Sequence, residues 1–279
     1  MKNRHVLGEA VRHLILIILA LYTLAPLLFL FVNAFKSNNE IIASPVALPE
    51  HWTLQYIKTA MEAINFGKAL GLTFIITFFS ILLLVIVSSF AAWAMVRSKT
   101  ILSNIVFLCF TAAMLVPFQS LMYPLLSVFE KMGLKNVQGL ILMYGGFGLS
   151  MSVFLYHGFI KSVPASLEEA AVLDGANLFQ MFFKVVFPLL KGTTVTVIVL
   201  NGMWIWNDYL LPFLVIGNKT GSKTLTLELY FAKLTSGQYG NPWELIFPAV
   251  FVTIIPIIIL YIFLQKYIVA GVSEGAVKM

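Results

Sequence analysis

The sequence predicts an all-α polytopic membrane protein with six transmembrane helices. Of its 279 residues, 60% are hydrophobic and 11% are charged, whereas an average soluble domain carries about 25% charged residues. Six apolar runs are long enough to cross a hydrocarbon core as helices, which takes about 20 residues each. The runs are continuous and do not alternate in polarity, which favours helices over a β-barrel. They cover residues 14–35, 69–95, 101–126, 139–160, 193–216 and 245–267.

The first run, residues 14–35, is interpreted as a retained helix and not as a signal peptide. It is longer than the apolar core of a signal peptide, and no small-residue cleavage site follows it before Lys36 and Ser37. The run therefore counts as the first span.

The segment after the first span, residues 36–68, is predicted to be external and partly structured. Ser44-Pro45 and Leu48-Pro49 interrupt regular structure. The stretch from Tyr56 to Ala63 has the periodicity of a short amphipathic helix. We expect the surface of this segment to contact another molecule.

The distribution of basic residues predicts the orientation of the spans. An even number of spans places both termini on one side, and an excess of Lys and Arg marks the cytoplasmic side. Ten of the eighteen Lys and Arg residues lie on the terminal side. They are Lys2, Arg4, Arg12, Arg97, Lys99, Lys161, Lys184, Lys191, Lys266 and Lys278. The termini and the connection 161–192 are therefore predicted to be cytoplasmic, and the segments 127–138 and 217–244 external.

Residue types that carry chemistry are too dispersed to predict an enzyme. The four histidines lie far apart and have no paired carboxylates at ligand spacing. Cys109 is the single cysteine, which excludes a disulfide or a CxxC metal site within the chain, and we expect its side chain to be buried. The basic residues are scattered over every loop, so nucleic-acid binding is not supported. We expect no catalytic residue, metal or cofactor in this chain.

The internal loop 161–192 contains signals for two helices. Ser166 and Glu169 have the spacing of a capping box, which predicts a helix start. Asp174-Gly175 predicts its end, because glycine readily adopts the left-handed conformation. Asn177 is predicted to cap a second helix that ends at Pro188. This helix carries apolar residues at helical spacing: Phe179, Phe182, Phe183 and Val186. The local pattern alone fits an ordinary interfacial helix pair as well as a docking site.

A resemblance to a known family favours the docking site. Glu169-Ala170-Ala171, Asp174-Gly175-Ala176 and Pro188-Leu189 resemble, in order and spacing, the EAA loop of binding-protein-dependent ABC importer permeases. The rest of the chain resembles the smaller permease subunit of maltose-type carbohydrate importers. The segments that carry this second resemblance include Asn33-Ala34-Phe35-Lys36, residues 91–97, Val116-Pro117-Phe118-Gln119, residues 206–212 and Gln265-Lys266-Tyr267.

The resemblance implies a type I ABC importer permease fold, with residues 1–279 forming one transmembrane domain. It implies a bacterial or archaeal cytoplasmic membrane and four kinds of partner: a larger permease subunit, an ATPase dimer that binds ATP and Mg, an extracytoplasmic solute-binding protein, and a sugar substrate. The EAA loop 161–192 would couple the chain to the ATPase, and the C-terminal tail 269–279 would reach between the ATPase subunits. The implied coupling residues are Glu169, Ala170, Ala171, Asp174, Gly175, Ala176 and Pro188.

Polar residues within the spans are the candidates for a translocation path. Such residues are costly in a membrane unless they face a cavity or another helix. They are Ser88, Ser89, Gln119, Asn201, Asn207 and Asp208, with Trp204 supplying an aromatic face for a sugar. Hydrogen bonding between helices of the permease dimer explains the same residues equally well.

Two other functions stay open at the level of sequence. A permease for another solute, such as glycerol phosphate, a polyol or a peptide, would have the same docking loop. A secondary transporter would need coupling-ion sites in broken helices. Asp208 has no obvious buried cationic partner, which argues against a proton relay.

Overall fold

The structure, a computed structural model, describes residues 2–217, 221, 223–236 and 241–276. These residues form helices and no strand, which confirms the all-α fold class. In chain order, the first seven helices are α1 (Lys2–Asn33), α2 (Asn38–Ala43), α3 (Gln55–Ala63), α4 (Phe66–Ser98), α5 (Ile101–Ala113), α6 (Phe118–Lys131) and α7 (Val137–Ile160). They are followed by α8 (Ser166–Leu173), α9 (Leu178–Met181), a π-helical turn (Phe182–Val186), α10 (Phe187–Leu189), α11 (Lys191–Asn207), α12 (Leu210–Val215), α13 (Leu225–Ser236) and α14 (Trp243–Ala276).

Among the described residues, four helices are long and apolar enough to cross a membrane. Their spanning portions are Val11–Asn33, Phe66–Ser98, Val137–Ile160 and Trp243–Phe263. Two bent helix pairs raise the number to as many as six if each pair is one span. One pair is α5 with α6, and the other joins the segment Leu178–Leu189 to α11. Six, the predicted number of spans, is the upper limit of this range, and the bounds of the spans stay predictions.

The prediction of one continuous helix over residues 101–126 is wrong. Helix α5 ends at Ala113, α6 begins at Phe118, and the two are bent by 106°. Pro117 precedes α6 in an extended conformation and has no backbone N–H to continue the helix before it. The residue before a proline is also driven away from helical geometry. The proline therefore divides this apolar run.

The last two spans also differ in detail from their predicted bounds. The run 193–216 is divided at Asp208, which has an extended backbone between α11 and α12. Helix α14 continues to Ala276 and so includes most of the predicted tail 269–279. Residues 277–279 lie outside the described residues.

The chain divides into two compact units. The first comprises Met1–Gly67 and Glu228–Pro256, and the second comprises Lys68–Leu227 and Ile257–Met279. The core of the first unit contains Ala60, Ile64, Ala249 and Val252. Helix α3 in this unit confirms the short helix predicted from Tyr56 to Ala63. The single transmembrane domain over residues 1–279 stays a prediction.

The second unit has two apolar clusters. One joins α4, α7, α11 and α12 through residues such as Ile76, Tyr144 and Ile205. The other joins α4 and α7 to the connection before α11, with Trp93 and Phe182 among its buried side chains. Cys109 on α5 is exposed, so the expectation of a buried cysteine is wrong for the isolated chain.

Candidate functional site

The loop 161–192 folds as two helical segments joined by a glycine corner. Gly175 has a φ of +80°, as its predicted role requires. The N–H of Ala176 donates to Ala171 O at 2.9 Å, and that of Gly175 donates to Val172 O at 3.0 Å. These two bonds form a Schellman motif, which satisfies carbonyl groups at the end of α8. The glycine therefore fixes the direction in which the chain leaves α8.

Of the two helix caps predicted from sequence, one is present in the structure and the other is not. Asn177 forms a capping box with Gln180 at the start of α9, which confirms the prediction. The capping box predicted for Ser166 is wrong: Ala165 occupies the cap position of α8 and makes no side-chain hydrogen bond there. The helix starts one residue earlier than predicted, so Ser166 lies inside its first turn.

Glu168, and not the neighbouring Glu169, anchors α8 to a membrane helix. Arg97 at the end of α4 places Nη2 2.6 Å and Nε 2.8 Å from Glu168 Oε1. Trp93 Nε1 donates to the other carboxylate oxygen at 3.0 Å. The same guanidinium donates to Val163 O at 3.0 Å. The Arg97 and Glu168 side chains are 22% and 10% exposed, so water weakens this ion pair only partly.

A second contact ties the other half of the loop to the same helix. Phe182 is fully buried in the π-helical turn. Its ring centroid lies 5.2 Å from that of Trp93 and 5.0 Å from that of Phe90. Trp93 therefore contacts both α8, through Glu168, and the segment after α9, through Phe182. Sequence patterns did not predict that Trp93 and Arg97 contact this loop, because their partners are distant in sequence.

The corner between α8 and α9 presents most of the predicted coupling residues to the surface. Glu169, Ala170, Asp174 and Gly175 are exposed, while Ala176 is half-buried and Ala171 is buried against the unit. Pro188 is exposed within α10. Apolar side chains surround the corner, among them Leu173 at 88% and Phe179 at 65% exposure. We call the set Glu169, Val172, Leu173, Leu178 and Phe179 the corner surface.

The serines predicted for a translocation path are internal to the chain. Ser88 and Ser89 are fully buried, and their hydroxyls donate to backbone carbonyls one turn earlier on α4, those of Leu84 and Val85. Such bonds satisfy a hydroxyl without a ligand. Neither serine is available to a solute in the isolated chain.

Asn201 connects α11 to α7. Its side-chain amide donates to Ser152 Oγ at 3.1 Å and to Val197 O at 2.9 Å. A Cβ atom on Gly148 would lie only 2.5 Å from Asn201 Oδ1, so the helices approach closely here. Asn201 thus makes a hydrogen bond between two helices of this chain.

Asp208 and Trp204 both contact Tyr144, a residue that sequence patterns did not identify. Tyr144 on α7 donates its hydroxyl hydrogen bond to Asp208 Oδ2 at 2.9 Å. The Tyr144 ring packs edge-on against Trp204, with centroids 5.4 Å apart. The backbone N–H of Leu210 donates to Asp208 Oδ1 at 2.9 Å, which holds the break between α11 and α12.

The remaining path candidates face outward. Asn207 and Trp204 lie on one exposed face of α11 together with Leu200 and Met203, at helical spacing. Gln119 is exposed in the first turn of α6. Within the described part of the chain, no three His, Cys, Asp or Glu residues are grouped to hold a metal ion.

The sequence of this chain is similar to those of known transport proteins. Residues 85–274 match the family described as binding-protein-dependent transport system inner membrane component. The probable starch degradation products transport system permease protein AmyC of Thermoanaerobacterium thermosulfurigenes is 43% identical over 262 residues, 94% of each chain. The multiple sugar-binding transport system permease protein MsmG of Streptococcus mutans is 34% identical over 281 residues, 100% of each chain.

The fold is also similar to that of a solved structure. A chain from a bacterial ABC transporter involved in the import of the acidic polysaccharide alginate superposes with a TM-score of 0.81. The match covers 96% of this chain and 98% of that one, at 23% sequence identity. The two chains therefore share a fold.

Proposed function

Because this chain belongs to the family of inner membrane components of binding-protein-dependent transport systems, we propose that it is the permease subunit of an ATP-driven sugar or oligosaccharide importer. Members of this family are transport components, so the chain is a transporter subunit and not itself an enzyme. The observation that carries the proposal is the corner surface, exposed to solvent and held on α4 by Glu168.

The corner surface is suited to docking on a separate ATPase subunit. Leu173 and Phe179 project as large apolar side chains that a groove can enclose, the kind of contact that contributes most to affinity. Glu169 is exposed beside them and can accept a charge-assisted hydrogen bond from a cationic residue of the partner. Ala170 has little bulk, so α8 can approach the partner closely.

Movement of the ATPase would reach the membrane through two contacts. Glu168 binds Arg97 and Trp93, and Phe182 packs on Trp93, so both halves of the loop hold the end of α4. A displacement of the corner surface therefore pulls on α4 as part of one packed body. We assign Glu168 and Phe182 to transmission, and Glu169 and the exposed apolar residues to docking.

The corner surface then faces the cytoplasm, where ATP and Mg are bound by an ATPase dimer. Both termini lie on the same side. A second, larger permease subunit completes the pathway, and an extracytoplasmic solute-binding protein delivers the substrate from the other side. The last turns of α14 extend toward the ATPase subunits.

A sugar substrate is supported by the relatives and by the exposed face of α11. AmyC and MsmG are named for starch degradation products and for multiple sugars. Trp204 supplies an aromatic face and Asn207 an amide, the groups that bind the faces and hydroxyls of sugar rings. We propose that this face and Gln119 line the path once the second permease encloses it.

Reconstitution of the complete transporter in vesicles tests the proposal. The solute-binding protein that assembles with this chain is screened by thermal shift against maltooligosaccharides, polyols, sugar phosphates and peptides, and uptake of each is then measured. We expect ATP-dependent uptake of a sugar or oligosaccharide. Uptake of peptides alone, or uptake that continues without the ATPase, would contradict the proposal.

A further inference from the structure

The segment between α1 and α3 exposes large apolar side chains outside the membrane-spanning helices. Their exposed fractions are 66% for Ile42, 83% for Val46, 69% for Leu48, 56% for Trp52 and 69% for Leu54. We call these five residues the apolar row. From Ile41 to Leu54 the only charged residue is Glu50. An apolar surface of this kind marks a site that another molecule or a membrane covers.

The segment is fixed to the end of α1 and does not extend freely. Lys36 is only 1% exposed, and its ammonium group donates to Ser44 O at 2.9 Å. Asn33 is fully buried, and its amide donates to Pro45 O at 2.9 Å. These bonds fold the chain back at Pro45 and hold it beside the last turn of α1.

Helix α2 fixes the same segment to the start of α14. The N–H of Asn38 donates to Glu244 Oε2 at 3.0 Å, and the N–H of Trp243 donates to Asn38 Oδ1 at 3.1 Å. Glu40 closes a capping box with Ser37 and accepts from the N–H of Glu50 at 3.0 Å. The segment that contains the apolar row is therefore held in place by hydrogen bonds to α1 and α14.

Aromatic contacts place this segment beside the apolar part of α14. Trp52 packs on Phe31 and Phe35, with centroids 6.0 Å and 5.1 Å apart. Both of these rings pack on Phe251, at 5.6 Å and 6.2 Å. Phe35 follows the last residue of the α1 span, Asn33, by two positions, and Phe251 lies within the candidate span Trp243–Phe263 of α14. The chain that follows α1 is therefore level with the membrane-spanning part of α14.

From these contacts we infer that the apolar row is a lipid-binding surface, inserted into the headgroup and acyl boundary of the leaflet at the C-terminal end of α1. Tryptophan is enriched at this boundary because its ring is apolar and its N–H is polar. Apolar side chains with few charges bind there by removing their surface from water. The lipid would hold this connection against the membrane while the transporter works.

Spin labelling of single cysteines tests the inference. Cys109→Ser supplies the background, and Ile42, Val46, Leu48 and Leu54 are each replaced by cysteine. The assembled transporter, with cysteine-free partner chains, is placed in phospholipid vesicles and checked for retained uptake. Collision rates of each label with oxygen, which concentrates in lipid, and with a water-soluble nickel chelate are then compared. Lys58→Cys and Glu62→Cys are exposed polar controls on α3.

At the four apolar positions, we expect collisions with oxygen to exceed those with the nickel chelate several-fold. We expect the opposite order at Lys58 and Glu62. Stronger collisions with the nickel chelate at the apolar row would place it in water and overturn the inference. Low accessibility to both reagents would also overturn it, because the row would then be covered by the binding protein or the second permease.

Discussion

Arg97 and Glu168 are 71 positions apart in sequence, and their side chains form an ion pair with 2.6 Å between Nη2 and Oε1. The pair joins the end of a membrane-spanning helix to the start of α8. Trp93 donates to the second carboxylate oxygen, so the carboxylate is bonded through both of its oxygens. This contact gives the exposed corner surface a rigid connection to the membrane part of its unit.

Breaking the Arg97–Glu168 pair should loosen the loop. Glu168→Gln leaves a partly buried guanidinium without its carboxylate, which costs about 2 kcal/mol of stability. We expect a lower melting temperature. We also expect uptake to fall by a larger factor than the amount of ATPase subunit bound to this chain. The measurements are thermal unfolding and uptake per ATP hydrolysed.

Glu169→Gln is the matched control for this variant. It removes the same charge from the adjacent residue, which is exposed, and should change stability by less than about 0.5 kcal/mol. The double variant Arg97→Glu with Glu168→Arg should recover part of the lost stability. Equal melting temperatures for Glu168→Gln and Glu169→Gln would show that the pair does not hold the loop.

Gly175→Ala should weaken the corner by backbone strain and not by a clash. A Cβ atom at Gly175 would meet nothing within 4 Å, but the φ of +80° is costly for any residue with a side chain. The cost is about 1 kcal/mol, or about fivefold in the local opening equilibrium. Hydrogen exchange at the Ala176 amide measures it. Gly158→Ala, also in open space but within α7, should not speed this exchange.

Gly148→Ala should separate α7 from α11 and α4. The new Cβ would lie 2.5 Å from Asn201 Oδ1 and 2.7 Å from Leu84 Cδ1, so these side chains must move. Overpacking of this kind costs about 1–3 kcal/mol, measured by unfolding in detergent. Gly146→Ala is the control, since its Cβ would meet nothing within 4 Å. A stability loss equal to that of Gly146→Ala would contradict the close approach.

Acid should release the segment that carries the apolar row. Hydrogen bonds from the backbone N–H groups of Ser37 and Glu50 lower the pKa of Glu40 from its ordinary value of 4.5. A lowered pKa means that Glu40 contributes stability fully above pH 4.5 and loses it as the pH falls through the lowered value. A spin label at Val46 should therefore become more mobile in that acidic range. Glu40→Gln should abolish this pH step, and Glu62→Gln should leave it in place.

Local sequence signals predicted those features that depend on neighbouring residues. Gly175 and the cap at Asn177 are examples, because the bonds that define them lie within a few positions. The break at Pro117 could have been predicted from the missing N–H, although the apolar run conceals it. The contact of Glu168 with Arg97 and Trp93 could not have been predicted. Both partners lie on another helix, and the adjacent Glu169 carries the same charge.

The path residues show a second limit of sequence patterns. A polar residue in a span predicts a partner without saying which one, and Asn201 bonds to Ser152 while Asp208 bonds to Tyr144. Tyr144 lies within an apolar run, and nothing in the sequence around it indicated that it would bond to Asp208. Asn207 and Trp204 lie on an exposed face of α11. Their proposed role in a translocation path depends on a second permease subunit, whose sequence is not contained in this chain.

The corner surface is proposed to couple this chain to an ATPase, and Glu169→Lys tests this coupling. The variant is reconstituted with its partners, and ATP-driven uptake is measured beside Glu62→Lys, which makes the same charge change on α3. We predict normal membrane insertion with uptake reduced at least about tenfold for Glu169→Lys, as expected for the loss of a charge-assisted contact plus a repulsive charge. Glu62→Lys should retain uptake. Equal, undiminished uptake by both variants would show that the corner surface does not couple this chain to an ATPase.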